Sequence, residues 1–263
     1  MQENSLLTLP VGYCGLGQQL NNSADSQTNE KITHIGRQIN MGSGSTYIEN
    51  QTLNSPVPQP SPPMRKKILF IAANPENEAR IATDKEYRLI KAELERGSHR
   101  DSYEFLLPQF AVTIQELIRA IAPKPQIIHF AGHGERKGII ITNEQNQPQS
   151  LSLPILQRIF RPLKTFTELV LLNSCYSALC AKEISEFGMY VVGYLQPISD
   201  EAAIGFAQGL YIGLSRGKTF EEAFNDAIIV LLTKNTGHLR GLGTSEENSI
   251  LVEVWRNGEK LDL

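Results

Sequence analysis

A histidine and a cysteine, each placed at the end of a short apolar run, are the residues whose types and setting could do chemistry. The first run reads Ile127-Ile128-His129-Phe130-Ala131-Gly132-His133-Gly134 and the second Leu169-Val170-Leu171-Leu172-Asn173-Ser174-Cys175. Cysteine attacks as a thiolate, which near neutral pH needs a base or a positive field beside it, and histidine is the side chain whose pKa suits that task. Gly132 and Gly134 let the chain turn tightly, and the bare amide of Gly134 can approach a substrate carbonyl. Singly, a buried cysteine is usually an inert small hydrophobe and a His-Gly pair a turn. The two together at the ends of neighbouring strands are what make a nucleophile and its base worth proposing, although 42 positions separate Cys175 from His133.

Closing that gap is the work of the elements between them. From Met64 onward apolar runs alternate with helical periodicity. Strands are expected at Ile68–Ala72, Tyr103–Leu107, Ile127–Phe130, Leu169–Leu172, Tyr190–Tyr194 and Ile250–Trp255, and a hairpin with Gly138–Thr142 as one arm and a turn in Asn143–Gln149. Helices are expected over residues 78–96, 113–122, 153–163, 175–186, 201–215 and 219–233, with Thr113 and Glu116 forming a capping box. Strands separated by helices of this length imply a doubly wound, mainly parallel α/β sheet with helices on both faces. In such a fold ligands meet the carboxyl ends of the strands, which is where His133 and Cys175 would emerge side by side. Cys175 would then stand at a helix N-terminus, where amides and the dipole favour a thiolate.

Residues 1–55 differ sharply. They are rich in Asn, Gln, Ser, Thr and Gly, and are expected to form a disordered tail. Residues 56–63, with Pro56, Pro58, Pro60, Pro62 and Pro63, read as an extended linker. The remaining composition narrows the function classes. Of the 263 residues 41% are hydrophobic and 20% charged, with net charge -3, so neither nucleic acid nor an anionic membrane is an expected partner. No apolar run approaches the length of a membrane span. Three cysteines cannot build a disulfide framework, and the opening Met-Gln-Glu-Asn-Ser lacks a signal-peptide pattern, so a reducing cytoplasm is the expected location.

The stretches His129–Gly134, Leu172–Ser177 and Ile198–Ile204 followed by Phe206 together resemble the bacterial CHAT domain, a caspase-like and separase-like cysteine peptidase family. The opening Ile68–Pro75 and the later Gly217–Phe220 through Phe224 extend the resemblance over about residues 65–256. The caspase signature Gln-Ala-Cys-x-Gly is replaced by Asn173-Ser174-Cys175-Tyr176-Ser177, which marks a relative and not a caspase proper. The resemblance implies a caspase-like fold and a cysteine endopeptidase acting on protein substrates in bacterial signalling, cell death or defence. In it Cys175 is the nucleophile, His133 the proton-transfer partner, and the amides of Gly134 and Cys175 the oxyanion donors. His129, four residues earlier, is read as a packing or hydrogen-bonding residue. Asp200 has two readings: a helix N-cap before Glu201-Ala202-Ala203, or, by resemblance to separase-type peptidases, a pocket carboxylate selecting Arg or Lys. Asn173 is expected in the same substrate pocket, where many metacaspases carry Asp. A catalytically silent scaffold of the same fold is the alternative function.

Other signals are weak. Gly213–Thr219 imitates a phosphate loop but has Ile212 where glycine is required and follows a helix. Gly12-Tyr13-Cys14-Gly15-Leu16-Gly17 lacks a preceding strand. Cys180 is expected in the core, and no histidine spacing predicts a metal site; no cofactor is expected. Residues 30–55 mix β-branched and aromatic residues with Asn, Gln and Gly, which leaves two readings, plain disorder or a segment that self-assembles or binds a sensor or adaptor protein.

Overall fold

In the computed structural model the described residues are 32–41 and 45–54, for their backbone, and 64–234 and 252–262. The chain divides into two units, Met1–Pro62 and Pro63–Leu263. Within the first, β1 (Ile32–Met41) pairs antiparallel with β2 (Ser45–Asn54) in unbroken register from Ile32 opposite Asn54 to Met41 opposite Ser45. The linker at 56–63 and Cys14 lie outside the described residues.

The second unit is built on β3 (Lys66–Ala73), β4 (Tyr103–Phe105), β5 (Gln109–Phe110), β6 (Ile127–Gly132), β10 (Leu169–Asn173), β11 (Tyr190–Tyr194), β12 (Val252–Arg256) and β13 (Glu259–Lys260). Strand order is β13-β12-β11-β10-β6-β3-β4, with β5 also on β3; the pairs from β4 to β11 are parallel, and β12 and β13 add antiparallel. Every residue of β6, β10 and β11 is buried, which is why these strands read as continuous apolar runs rather than alternating ones. Beside the sheet lies a small antiparallel one, β7 (Gly134–Glu135), β8 (Gly138–Thr142) and β9 (Pro148–Ser152), so the expected hairpin forms and gains a third strand.

Helices cover both faces, as the doubly wound reading requires. One core layer packs α1 (Thr83–Arg96), α5 (Asp200–Ser215) and α6 (Phe220–Lys234) on the sheet through Ile90, Leu94, Phe206, Leu210 and Phe224. The other packs α2 (Ile114–Ala120), α3 (Leu153–Phe160) and α4 (Ala178–Ser185) through Leu117, Leu156, Phe160 and Ile184. Each such side chain contributes about 1.5–3 kcal/mol by leaving water. The capping box of α2 forms: the Glu116 amide donates to Thr113 Oγ1 and the Thr113 amide to Glu116 Oε2. Because α5 is buried nearly all round, it needs close neighbours. A Cβ on Gly209 would lie 2.6 Å from the Ala227 Cα, so glycine lets α6 approach.

Two helix starts differ from expectation. Residues 78–82 form a loop and α1 begins at Thr83, its buried face being Thr83, Glu86, Ile90 and Leu94. Residues 174–177 form a turn and α4 begins at Ala178. Both departures lie at the carboxyl edge of the sheet, where loops bend to form a site.

Candidate active site

Parallel pairing of β6 with β10 brings the two motifs together. Leu169 pairs with Ile127 and Asn173 with Ala131, an offset of 42 at every step, which is also the offset between Cys175 and His133. Each residue therefore lies two positions past the last paired residues, Ala131 and Asn173, of adjacent strands. Contact between the two strand ends is tight, because a Cβ on Gly134 would lie 2.3 Å from the Cys175 carbonyl oxygen and 2.9 Å from Ser174 Oγ. Only glycine lets these backbones meet.

Cys175 sits in a strand-to-helix turn and not on the first turn of α4, since the chain needs residues 174–177 to reverse before the helix can start. Tyr176 takes a left-handed φ of 57°, a conformation costing roughly 1–3 kcal/mol for such a residue. Ser177 holds the turn in place. Its hydroxyl lies 2.7 Å from the Ser174 carbonyl and 3.0 Å from that of Leu172, and accepts the Tyr194 amide at 3.1 Å. This ties the turn to β11. The Cys175 thiol is half-buried, with Sγ 4.0 Å from the Ile198 carbonyl.

His133 is held from the other side by the loop before α1. Its Nε2 donates to the Ala79 carbonyl at 2.8 Å, and Nδ1 is 4.0 Å from Glu78 Oε2. A carbonyl oxygen carries no hydrogen, so in the neutral ring Nε2 bears the proton and Nδ1 keeps the lone pair that a base requires. Imidazole and thiol are not hydrogen-bonded to each other, as is common where substrate is absent.

Asp200 is the first residue of α5, and the N-cap is Ser199, whose side chain accepts the Ala202 amide. The cap expected of Asp200 passes to Ser199 because that residue is extended, with ψ 150°, and so aims its short side chain back along the helix. Exposed Asp200 instead accepts the Ala82 amide at 3.0 Å, linking the loop that holds His133 to the one that faces Cys175. Asn173, expected in the substrate pocket, is turned inward: it is 5% exposed and its Nδ2 donates to Glu86 Oε1 at 2.5 Å. His129 is wholly buried with Nε2 2.8 Å from the same Glu86 oxygen, in keeping with a hydrogen-bonding role.

Elsewhere, Lys218 of the loop-like Gly213–Thr219 stretch is paired with Asp226 at 2.7 Å, and Thr219 accepts the Glu222 amide at the start of α6. Cys180 is fully buried, and desolvation pushes its thiol up to about 12. Among the described residues no group of three or more His, Cys, Asp or Glu could hold a metal ion, and no helix is long and apolar enough to cross a membrane. Sequence reasoning missed Glu78, the Ala79 carbonyl, Glu86 and the Ile198 carbonyl. Of these only Glu86 leaves a trace in the sequence, as an acid in step with Ile90 and Leu94 on the buried face of α1.

Part of the chain is similar in sequence to proteins named as proteases. A "Probable protease" of Gillisia limnaea is 28% identical over 172 residues, covering 62% of this chain and 30% of the relative. A "Roc-COR-CHAT protease" from an unknown prokaryotic organism is 24% identical over 177 residues, covering 64% of this chain and 17% of the relative. The chain thus spans less than a third of the length of the curated relatives it matches. The crystal structure of the Arg-specific cysteine proteinase gingipain R superposes with a TM-score of 0.48 at 10% identity, covering 64% of this chain and 42% of the other, too distant to bear on the site. The family model of the CHAT domain matches residues 41–240, and with three quarters of its length inside that match the chain belongs to the CHAT-domain family.

Proposed function

We propose that the chain is a cysteine endopeptidase that cleaves protein substrates through Cys175 and His133. The observation that supports this reading is that Cys175 and His133 follow the ends of two paired strands at equal distance in sequence, with Gly134 against the Cys175 carbonyl. His133 Nδ1 takes the Cys175 proton and Sγ attacks the scissile carbonyl carbon. The amides of Gly134 and Cys175 donate to the oxyanion, and Glu78 faces the ring while it carries its second proton. Collapse breaks the C–N bond, the leaving amine takes the proton from His133, and a thioester remains. Water, deprotonated by His133, then releases the acid and restores the thiol.

Residue preference belongs to the same reading. Asp200 keeps one carboxylate oxygen on the Ala82 amide and is exposed at the mouth of the loops around Cys175, so it supplies negative charge for an Arg or Lys side chain preceding the scissile bond. The peptidase would act in the cytoplasm as an effector in bacterial signalling, cell death or defence. Residues 30–55 would serve as its recruitment segment toward a sensor, an adaptor or further copies.

A fluorogenic panel with Arg, Lys, Asp and Met before the scissile bond tests the proposal. Cys175→Ala and His133→Ala are expected to remove turnover while the thermal melt persists, and Asp200→Asn to lower turnover of the Arg and Lys peptides by about tenfold, the loss of one charge-assisted pair. Full-rate cleavage by Cys175→Ala would sink the mechanism. An equal loss on all four peptides from Asp200→Asn would reassign that residue to holding the Ala82 loop.

A further inference from the structure

A buried carboxylate beneath the site is unexplained by the chemistry above. Glu86 is 2% exposed, on the helix face otherwise formed by Ile90 and Leu94, where an apolar side chain would cost nothing to bury. One of its oxygens accepts from two strands at once: from His129 Nε2 of β6 at 2.8 Å and from Asn173 Nδ2 of β10 at 2.5 Å. His129 is four residues before His133 in β6 and its extension, and Asn173 is two residues before Cys175. The ring of His129 is further fixed between Phe70, at 4.9 Å, and Tyr211, stacked at 5.8 Å. Glu86 also anchors the start of α1, and the loop entering that helix supplies the Ala79 carbonyl that orients His133 and the Ala82 amide that meets Asp200.

A single carboxylate oxygen therefore joins the three segments that deliver the nucleophile, the base and the base's orienting carbonyl. Burying it is costly unless every lone pair is used. The surroundings remain incompletely satisfied: His129 Nδ1 and Asn173 Oδ1 are buried without a partner. A core built for stability alone would place leucine here, continuing the stripe. We propose that Glu86 is a positioning residue, whose bridge between His129 and Asn173 sets the placement of His133 relative to Cys175. This rests on the Cys175–His133 reading.

The test uses Glu86→Leu in the full chain, with Glu86→Gln as the conservative companion, since the amide oxygen of Gln can still accept from both strands. Two readouts are followed: cleavage of the best fluorogenic peptide, and the rate at which iodoacetamide modifies Cys175 at pH 7, read by peptide mass. Glu86→Leu should lower kcat by about 30-fold with KM within about threefold, and slow Cys175 alkylation in step, because small misplacement of reacting groups costs this much. Glu86→Gln should stay within about threefold of the parent, whereas loss of mere packing would be rescued by Leu and not by Gln. Ile184→Val, in the opposite core layer, should lower the melting temperature and leave alkylation unchanged. A folded Glu86→Leu with parental kcat and alkylation rate overturns the inference. Should that variant not fold, Asn173→Ala cuts the same bridge from the strand side, and its unchanged rates would overturn it equally. His133→Ala is run alongside. If it slows alkylation of Cys175 and Glu86→Leu does not, Glu86 fails while the dyad stands. If His133→Ala leaves alkylation untouched, the dyad fails, and the positioning role with it.

Discussion

Two cysteines five positions apart in the sequence have opposite environments. Cys175 is half-buried at the turn, whereas Cys180 is enclosed between α4 and the sheet, where burial raises its thiol to about 12. A raised acid pKa favours the folded state only while the unfolded chain is also protonated. The contribution of Cys180 is therefore complete below about pH 9, the ordinary thiol value, and is lost as pH climbs toward 12. Between pH 7 and 9 iodoacetamide should modify Cys175 in the native chain and leave Cys180 untouched, with Cys180 reacting only after denaturant is added. Peptide mapping reads both sites in one digest. Native labelling of Cys180 at a rate near that of Cys175 would contradict this packing.

Elements deliver these residues more accurately than their own neighbours in sequence do. The approach of β7 to the Cys175 turn leaves no room for a methyl group, so Gly134→Ala should push the turn away and lower turnover by at least tenfold. The overpacking should cost about 1–3 kcal/mol, visible as a lower melting temperature in a fold that persists. An alanine variant with parental turnover would contradict the close approach of the two backbones. The same elements show what is legible in sequence. β6, β10 and β11 were readable because full burial writes an uninterrupted apolar run. That the strands preceding His133 and Cys175 end side by side followed as well, because two consecutive core strands in a parallel sheet end on one edge. The starts of α1 and α4 were not readable: residues 78–82 and 174–177 have helix-compatible types and are bent by tertiary contacts, among them Ala79 with His133 and Ser177 with Tyr194. The Ala79 and Ile198 carbonyls have no residue-type signature at all. Glu86 was hidden because an amphipathic stripe is recognised by its apolar members, and the hydrogen bonds that admit an acid there come from strands 43 and 87 positions away.

At the scale of the molecule the chain falls into a hairpin-bearing unit and the α/β unit from Pro63 onward. The core of the second is closed by its own helices on both faces, so removal of residues 1–63 should leave peptide cleavage within about twofold of the full chain. The same deletion should abolish any sedimenting self-assembly or capture of an adaptor. Turnover lost together with the tail would show that the first unit takes part in the active state. The hairpin itself is two strands of ten residues with no third strand on either side among the described residues, an arrangement only marginally stable alone. The α/β sheet ends differently. One margin breaks into Tyr103–Phe105 and Gln109–Phe110, and the other folds back through the short turn into Glu259–Lys260. Margins this short and interrupted give an incoming strand no template to extend, so the α/β unit is protected against polymerising through its own sheet. If the chain gathers into fibres, they should grow from the hairpin, with each α/β unit carried as a folded bead whose strands take no part in the fibre.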